Sequence, residues 1–336
     1  MLEDITLITG ASGEIGHGLL SSLGPVEADR LVALDLSPLD PRLVGLCHEF
    51  VQGDVLDQAL LEGLSRRYRI NRIFHLAAVL SARAEQDPRT AHRVNVEGTL
   101  NLLQLGLDQA ERRGAAVTFV FPSSIAVYGL PSLEAKLASG PLDEETFCAP
   151  ATIYGANKLY CEHLGRYFSG STSRGVGRAG LDFRAIRFPG LISADTLPTG
   201  GTSDYGPEML HHAAKGQPYR CFVRPDTRLP FMAMPDAVKA LTRLADATSL
   251  RRSVYNVTSF SPSAEEIHRL VLEFFPSAQV SYEPDTRRQA IVDSWPASVD
   301  DRAAREDWGW APDYDLRGAF EEYLIPAVSR RYPAAT

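Results

Sequence analysis

Thr9-Gly10-Ala11-Ser12-Gly13-Glu14-Ile15-Gly16 decides the fold. Ile5 to Thr9 reads as a buried strand, and Glu14 to Leu23 as a helix opened by the glycines. The glycine spacing is G-x-x-G-x-x-G. Positions without a Cβ permit a tight turn and close backbone approach to a pyrophosphate, and the amides at the helix N-terminus then face the phosphates. Glycines alone would mark a plain turn. Between a first strand and a first helix they predict a dinucleotide cradle made by Gly10, Ser12, Gly13, Glu14, Ile15 and Gly16.

The same alternation continues outward. Leu31 to Leu34 reads as a strand ending at Asp35, and Phe50 to Gln52 as another, followed by Asp54 and Val55. Leu56 to Tyr68 has a helical pattern, Ile73 to Ala77 a strand pattern, and Thr90 to Arg113 helical spacing. Val117 to Phe121 is a strand, Thr152 to Phe168 a helix and Phe183 to Phe188 a strand. Strands separated by helices of this length predict an α/β fold, a Rossmann-like doubly wound parallel sheet covered on both faces. After Pro189 the prolines and glycines mark irregular structure. An NAD-binding domain is therefore expected over 1–190, with later sequence returning to it, and a smaller, mainly substrate-binding portion over 191–336. Two stretches break the rhythm: 130–149, with Pro, Gly and acidic residues, and 169–180, rich in Ser, Gly and Arg, which reads as an exposed loop.

Asp35 falls where an acid meets the adenosine ribose hydroxyls, and a carboxylate there repels a 2′-phosphate, which favours NAD over NADP. A turn acid before Ser37-Pro38 is an equal reading, and Arg42 lies close by. Asp54 and Val55 fit an adenine contact, and Leu76, Ala77 and Ala78 fit close packing on the cofactor. Each also fits an ordinary strand end.

The chain has 336 residues, 44% hydrophobic and 23% charged, with a net charge of -8. Such a chain forms a large core and carries no basic field for nucleic acid or an acidic membrane. The apolar runs are strand-sized, so no membrane span is expected. Cys47, Cys148, Cys161 and Cys221 lack zinc or redox spacing and read as free thiols in a reducing compartment. The start carries no basic, apolar leader, so a cytoplasmic location is expected, with a processed organellar form left open. No H-E-x-x-H or clustered Cys/His set appears, so no metal site is expected.

In Tyr154-Gly155-Ala156-Asn157-Lys158 the Tyr and Lys share one helix face. An ammonium beside a phenol favours phenolate, which makes Tyr a general base. Ser123-Ser124 follows the strand Val117 to Phe121, and ligands of open parallel sheets bind beyond the carboxyl ends of strands. Ser124 is then expected to hold a substrate oxygen, with Ser123 assisting, while Tyr154 takes its proton. Lys158 is expected to lower the Tyr pKa and bond the nicotinamide ribose. Tyr-x-x-x-Lys alone is a frequent chance pattern, and a Ser pair alone is a turn cap. Asn95, inside the long helix, is a candidate for a water relay, although one polar residue in a helix usually means little.

Gly10-x-x-Gly13-x-x-Gly16, His75-Leu76-Ala77-Ala78, Asn95-Val96-Glu97-Gly98-Thr99, Ser124 to Gly129, Tyr154-x-x-x-Lys158, Arg187-Phe188-Pro189-Gly190 and Trp308-Gly309-Trp310-Ala311-Pro312 together resemble the extended short-chain dehydrogenase/reductase family, nearly end to end. Three segments further resemble its L-threonine 3-dehydrogenase branch. They are Gly200-Gly201-Thr202-Ser203-Asp204-Tyr205, Asp226-Thr227-Arg228-Leu229-Pro230-Phe231-Met232, and Arg288 to Pro296 with Asp300-Asp301. Nucleotide-sugar members tend to carry R-x-G-D in the third region, where this chain has Arg288-Gln289-Ala290-Ile291.

The resemblance implies NAD-dependent, metal-independent oxidation of the 3-hydroxyl of L-threonine. It implies a carboxylate site at Thr202 and Ser203, Ser81 beside the amino acid, Pro189 and Gly190 lining the nicotinamide end, and Arg187 either supporting the pocket or forming a structural salt bridge. It also implies a homodimer through the helices beginning near Thr90 and Thr152. The segment 130–149 is longer than usual for this branch and is expected to alter substrate access. The motifs leave open an epimerase or dehydratase with tightly held NAD, a dehydrogenase of another β-hydroxy amino acid, or a non-catalytic NAD-sensing protein.

Overall fold

The computed structural model describes residues 4–169, 180–194, 196–198 and 201–333. The loop expected over 169–180 lies outside the described residues apart from its two ends, Ser169 and Gly180, as does Gly200 of the threonine-type segment.

The chain forms two compact units. The first comprises Met1–Ser124, Ile153–Arg187 and Val238–Tyr255. Its strands are β1 (Asp4–Thr9), β2 (Leu31–Asp35), β3 (Glu49–Gln52), β4 (Arg69–His75), β5 (Val117–Ser124) and β6 (Leu181–Phe188). With Val254–Asn256 they form a seven-stranded sheet in the order Val254–Asn256, β6, β5, β4, β1, β2, β3. The pairings β1 with β2, β1 with β4, β2 with β3 and β4 with β5 are parallel. The order reverses between β4 and β1, the position in such a sheet where the carboxyl ends splay apart and admit a ligand. The registers Thr9 with His75 and Phe74 with Val120 bring β1, β4 and Phe121 to one level, so Pro122 to Ser124 extend past it.

Runs such as Thr6–Thr9 and Leu31–Leu34 are buried at every residue, as a sheet covered on both faces requires. Leu102 and Leu103 of the Gly98–Arg113 helix, with Ile73, Phe119, Phe121 and Phe183, share one core cluster. The Ile153–Ser169 helix comes unusually near the sheet at Gly165, where an added Cβ would stand 2.2 Å from the Phe183 ring. That contact sets the depth at which Tyr154 and Lys158 are presented.

Three predicted elements differ in detail. The first helix runs through Pro25 to Glu27 rather than ending at Leu23. The expected Leu56–Tyr68 helix starts at Gln58, because Asp57 caps it by accepting from the Leu60 amide at 3.0 Å. The expected Thr90–Arg113 helix is interrupted by a π turn at Arg93–Glu97, a feature that recurs at functional sites.

The second unit comprises Ile125–Thr152, Phe188–Ala237 and Asn256–Thr336. Two small parallel pairs, Gly190–Ile192 with Phe231–Ala233 and Tyr219–Cys221 with Val280–Tyr282, organise it. The long segment 130–149 is docked rather than loose. Lys136 is buried and donates to the Val292 carbonyl at 2.9 Å, the Leu130 amide donates to the Ser294 carbonyl at 2.8 Å, and the Asp300 amide to the Leu142 carbonyl at 2.8 Å. All four cysteines are free. Among the described residues no helix is long and apolar enough to cross a membrane, and no group of His, Cys, Asp and Glu could hold a metal ion.

Candidate active site

The dinucleotide cradle belongs to the first unit. Gly10 has φ +72°, and a Cβ on it would stand 2.5 Å from the Ala77 nitrogen, so the turn can lie against the chain leaving β4 only as glycine. The Gly10 amide donates to the Leu34 carbonyl at 2.9 Å and the Leu76 amide to the Thr9 carbonyl at 2.9 Å. Gly13 is the exposed N-cap of the Glu14–Glu27 helix, which has no side-chain cap. A Cβ there would meet only the Gly10 carbonyl oxygen, closely, at 3.3 Å. A helix start left open in this way fits an anionic pyrophosphate.

Asp35 clamps this turn. Its Oδ2 accepts from the Ser12 amide at 2.9 Å and its Oδ1 from the Ser37 amide at 2.8 Å. The turn-acid reading thus holds, and each carboxylate oxygen keeps a second lone-pair site, so this role does not exclude a ribose hydroxyl. Ser12 Oγ lies 3.1 and 3.2 Å from the Ser37 and Pro38 carbonyls, which closes the loop onto the glycines. Asp54 Oδ1 accepts from the Leu56 amide at 2.9 Å, and Val55 is buried against Gly98.

The chain after β4 is fastened by Asn95. Its Oδ1 accepts from the Val79 amide at 2.7 Å and its Nδ2 donates to the Val79 carbonyl at 3.0 Å. The side chain expected to carry a water relay is therefore a clamp on the backbone beside Leu76, Ala77 and Ala78. Ser81 follows as the first residue of a short helix and is half-buried.

Beneath lies a hydrogen-bond chain that sequence reasoning did not assign. Thr99 Oγ1 donates to the Asn95 carbonyl at 2.6 Å, which uses its only proton. His75 Nε2, 2.9 Å from that oxygen, must then be the donor, and His75 Nδ1 accepts from Thr9 Oγ1 at 2.7 Å. This is a neutral imidazole of defined tautomer. Burial, assisted by Lys158, holds its pKa down to about 3. The Cys161 thiol donates to the same Asn95 carbonyl at 3.1 Å.

The catalytic candidates stand at the end of β5. Successive residues of a strand face opposite sides, and the two serines separate accordingly. Ser124 is half-buried at the strand tip. Ser123 is buried and donates to Glu162 Oε1 at 2.5 Å. The expectation that Ser123 contacts substrate thus gives way to an inward role. Glu162 in turn pairs with Arg187, whose Nε and Nη2 donate to the two carboxylate oxygens at 2.9 and 2.7 Å. Both are buried, so Arg187 forms the salt bridge that was one of its two expected roles. Glu85 Oε1 accepts from the Ile153 amide at 2.8 Å and holds the helix entrance immediately before Tyr154.

Lys158 is 4% exposed, donates to the Pro122 carbonyl at 2.7 Å, and lies 4.4 Å from the Phe121 ring centre and 5.6 Å from that of Tyr154. Burial lowers its pKa to about 8. Burial also pushes the Tyr154 phenol above its ordinary value. Burial is the larger effect on the phenol, so its net shift is upward against the lowering expected from Lys158. The amine is itself desolvated and directed at the Pro122 carbonyl, so its charge only partly offsets the desolvation of the phenol.

In the second unit, Thr202 and Ser203 belong to a turn in which the Gly201 amide donates to Asp204 Oδ2 at 2.7 Å and the Asp204 amide donates to the Gly201 carbonyl at 3.2 Å. Thr202 is buried. Gly190 adjoins this turn, since a Cβ on it would stand 3.2 Å from Ser203 Cβ and 2.6 Å from the Phe231 ring. Pro189 beside it is buried.

This architecture has named counterparts. The bovine (Bos taurus) mitochondrial L-threonine 3-dehydrogenase is 38% identical over 313 residues, covering 92% of this chain and 79% of that protein. The solved L-threonine dehydrogenase from Clostridium difficile superposes with a TM-score of 0.86 at 31% identity, covering 98% of this chain and 99% of that one. A monomeric L-threonine 3-dehydrogenase from a metagenome gives 0.84 at 35% identity, covering 97% and 99%. The description "NAD dependent epimerase/dehydratase family" matches residues 6–258, a span that contains the open glycine turn, the Asp35 clamp and the Ser124, Tyr154 and Lys158 set. The chain thus belongs to the NAD-dependent epimerase/dehydratase family of extended short-chain dehydrogenase/reductases.

Proposed function

We propose that this protein oxidises the 3-hydroxyl of L-threonine to 2-amino-3-oxobutyrate and is an NAD-dependent L-threonine 3-dehydrogenase. The observation that carries this reading is the likeness to L-threonine 3-dehydrogenases along 92% of the chain, joined to an intact Ser124, Tyr154 and Lys158. When bound, NAD⁺ supplies the hydride acceptor and a positive charge that favours phenolate. Gly10, Ser12, Gly13, Glu14, Ile15 and Gly16 hold its pyrophosphate, Asp35 the adenosine ribose, Asp54 and Val55 the adenine, and Leu76, Ala77, Ala78 and Pro189 its flanks. Asn95 keeps the first three of these flanking residues in place.

Tyr154 takes the proton from the 3-hydroxyl as C3 loses hydride. Ser124 donates a hydrogen bond to the same oxygen. Lys158, anchored on the Pro122 carbonyl, has further N–H donors for the nicotinamide ribose. Thr202, Ser203 and the adjoining amides take the carboxylate, with Ser81 and Gly190 beside the amino acid. The first unit is accordingly the NAD-binding domain and the second is mainly substrate-binding.

Absorbance at 340 nm tests the reading. The expected result is net NADH formation from L-threonine and NAD, faster than from serine, phenylserine or 3-hydroxybutyrate. An epimerase or dehydratase recycles its cofactor and would release no NADH, and a preference for another member of the panel would replace threonine as the substrate. Any turnover disposes of a purely NAD-sensing role.

We also infer a homodimer and a cytoplasmic location. Leu100 at 41%, Tyr160 at 52% and Tyr167 at 66% exposure put apolar surface on the Gly98–Arg113 and Ile153–Ser169 helices. Four free thiols suit a reducing compartment. Light scattering is expected to give twice the 36.8 kDa chain mass, and a monomer mass would remove the dimer.

A further inference from the structure

We propose that Arg288 positions the substrate carboxylate by gripping the far side of the peptide that would bind it. The proposal rests on the threonine reading, which assigns that carboxylate to Thr202 and its neighbouring amides.

Arg288 belongs to the second unit, in the helix Thr286–Ser294. Its Nη2 donates to the Gly201 carbonyl at 2.8 Å. Its guanidinium lies on the Phe222 ring with Cζ 3.1 Å from the ring centre. Phe222 is held edge-on by Tyr205, with ring centres 6.0 Å apart, and Tyr205 is fully buried at the start of its helix. One turn further, Glu208 accepts from the Tyr219 hydroxyl at 2.7 Å. Burial raises the Glu208 pKa, while that hydrogen bond and the charge of Arg288 oppose the rise. The guanidinium is thus fixed by an aromatic face, a carbonyl and a nearby acid. A planar, delocalised cation can satisfy all three together, whereas an ammonium has the charge and donors without the plane.

The consequence follows from the chemistry of one amide. The Gly201 carbonyl and the Thr202 N–H belong to the same planar, trans peptide unit, so they point in opposite directions. A cation donating to the carbonyl polarises the unit and makes its N–H a stronger donor. Arg288 on one side therefore prepares the Thr202 amide on the other to receive an anion. The turn is already held from within by the Asp204 carboxylate on the Gly201 amide, so Arg288 adds orientation and polarity more than closure. The same engagement keeps this arginine from serving as a free phosphate ligand.

The test is steady-state kinetics of the full chain with NAD, comparing wild type, Arg288→Met and Arg288→Lys. The expected result for Arg288→Met is a KM for L-threonine raised at least ~10-fold, the scale of a lost charge-assisted hydrogen bond, with kcat and the KM for NAD nearly unchanged. L-Threoninamide, which keeps the hydroxyl and amine but lacks the carboxylate, should inhibit Arg288→Met and wild type with the same inhibition constant. Arg288→Lys, which retains a charged donor, should fall between the two for threonine. A threonine KM in Arg288→Met close to wild type, or an equal loss for threonine and threoninamide, would overturn the proposal while leaving the dehydrogenase intact. Wild-type enzyme that releases no NADH from threonine would instead remove the reading beneath it.

Discussion

Tyr154→Phe should lower kcat for L-threonine by at least ~100-fold, the usual scale for losing a positioned general base, while NAD still binds. The substitution removes one oxygen and leaves the ring that Lys158 approaches at 5.6 Å. The cradle at Gly10, Gly13 and Asp35 is built from other elements, so the affinity for NAD should hardly move. The sign of the pH dependence also follows. Burial favours the neutral phenol, so turnover requires a proton to leave and should climb with pH over the limb where Tyr154 ionises. Lys158, its own pKa drawn down to about 8 by burial, is still largely charged near neutral pH and favours the phenolate there. Lys158→Met should move that limb to higher pH. Near-normal turnover in Tyr154→Phe would remove Tyr154 from the chemistry altogether.

What was legible in the chain was what depends on local spacing. The strand, glycine turn and helix from Ile5 to Gly16 were readable because period changes and glycine positions are local, and the β5 and Tyr154 helix assignments followed in the same way. The two neighbouring serines were not separable, since a run buried on both faces gives no alternation to say which side Ser123 takes. Its partner Glu162 lies 39 residues away, and Glu85, which holds the Ile153 amide, lies 68 away. Neither pairing leaves a mark in sequence spacing.

The π turn at Arg93–Glu97 was invisible for another reason. One extra residue per turn barely disturbs a helical apolar pattern, yet it sits where Asn95 clamps Val79. The Tyr–Lys spacing was readable but its electrostatic balance was not, because desolvation is set by tertiary packing. Arg288 shows the same limit: the departure of Gln289-Ala290-Ile291 from R-x-G-D could be read, but the grip of Arg288 on Gly201 could not.

Breaking the Arg187–Glu162 pair from one side should be the most destabilising change in the first unit, at about 3–5 kcal/mol, because it strands a buried charge. Arg187 is 1% exposed and Glu162 fully buried, and Ser123 donates to the same carboxylate. Arg187→Met leaves that carboxylate with one hydroxyl for company, and Glu162→Leu leaves a guanidinium without its acid. The double variant Arg187→Met with Glu162→Leu removes both charges and replaces them with side chains that pack in an apolar interior. Replacing a buried pair in that way is often neutral or stabilising. The thermal midpoint of the double variant should therefore lie above that of either single variant. The three proteins also separate structure from substrate binding. If Arg187 only buttresses β5, the refolded double variant should keep its KM for threonine and lose mainly kcat, as the strand tip carrying Ser124 loosens. Equal midpoints for the two singles and wild type would mean that the pair is solvated in solution. A double variant less stable than both singles would mean that the surrounding core is built around the ion pair itself.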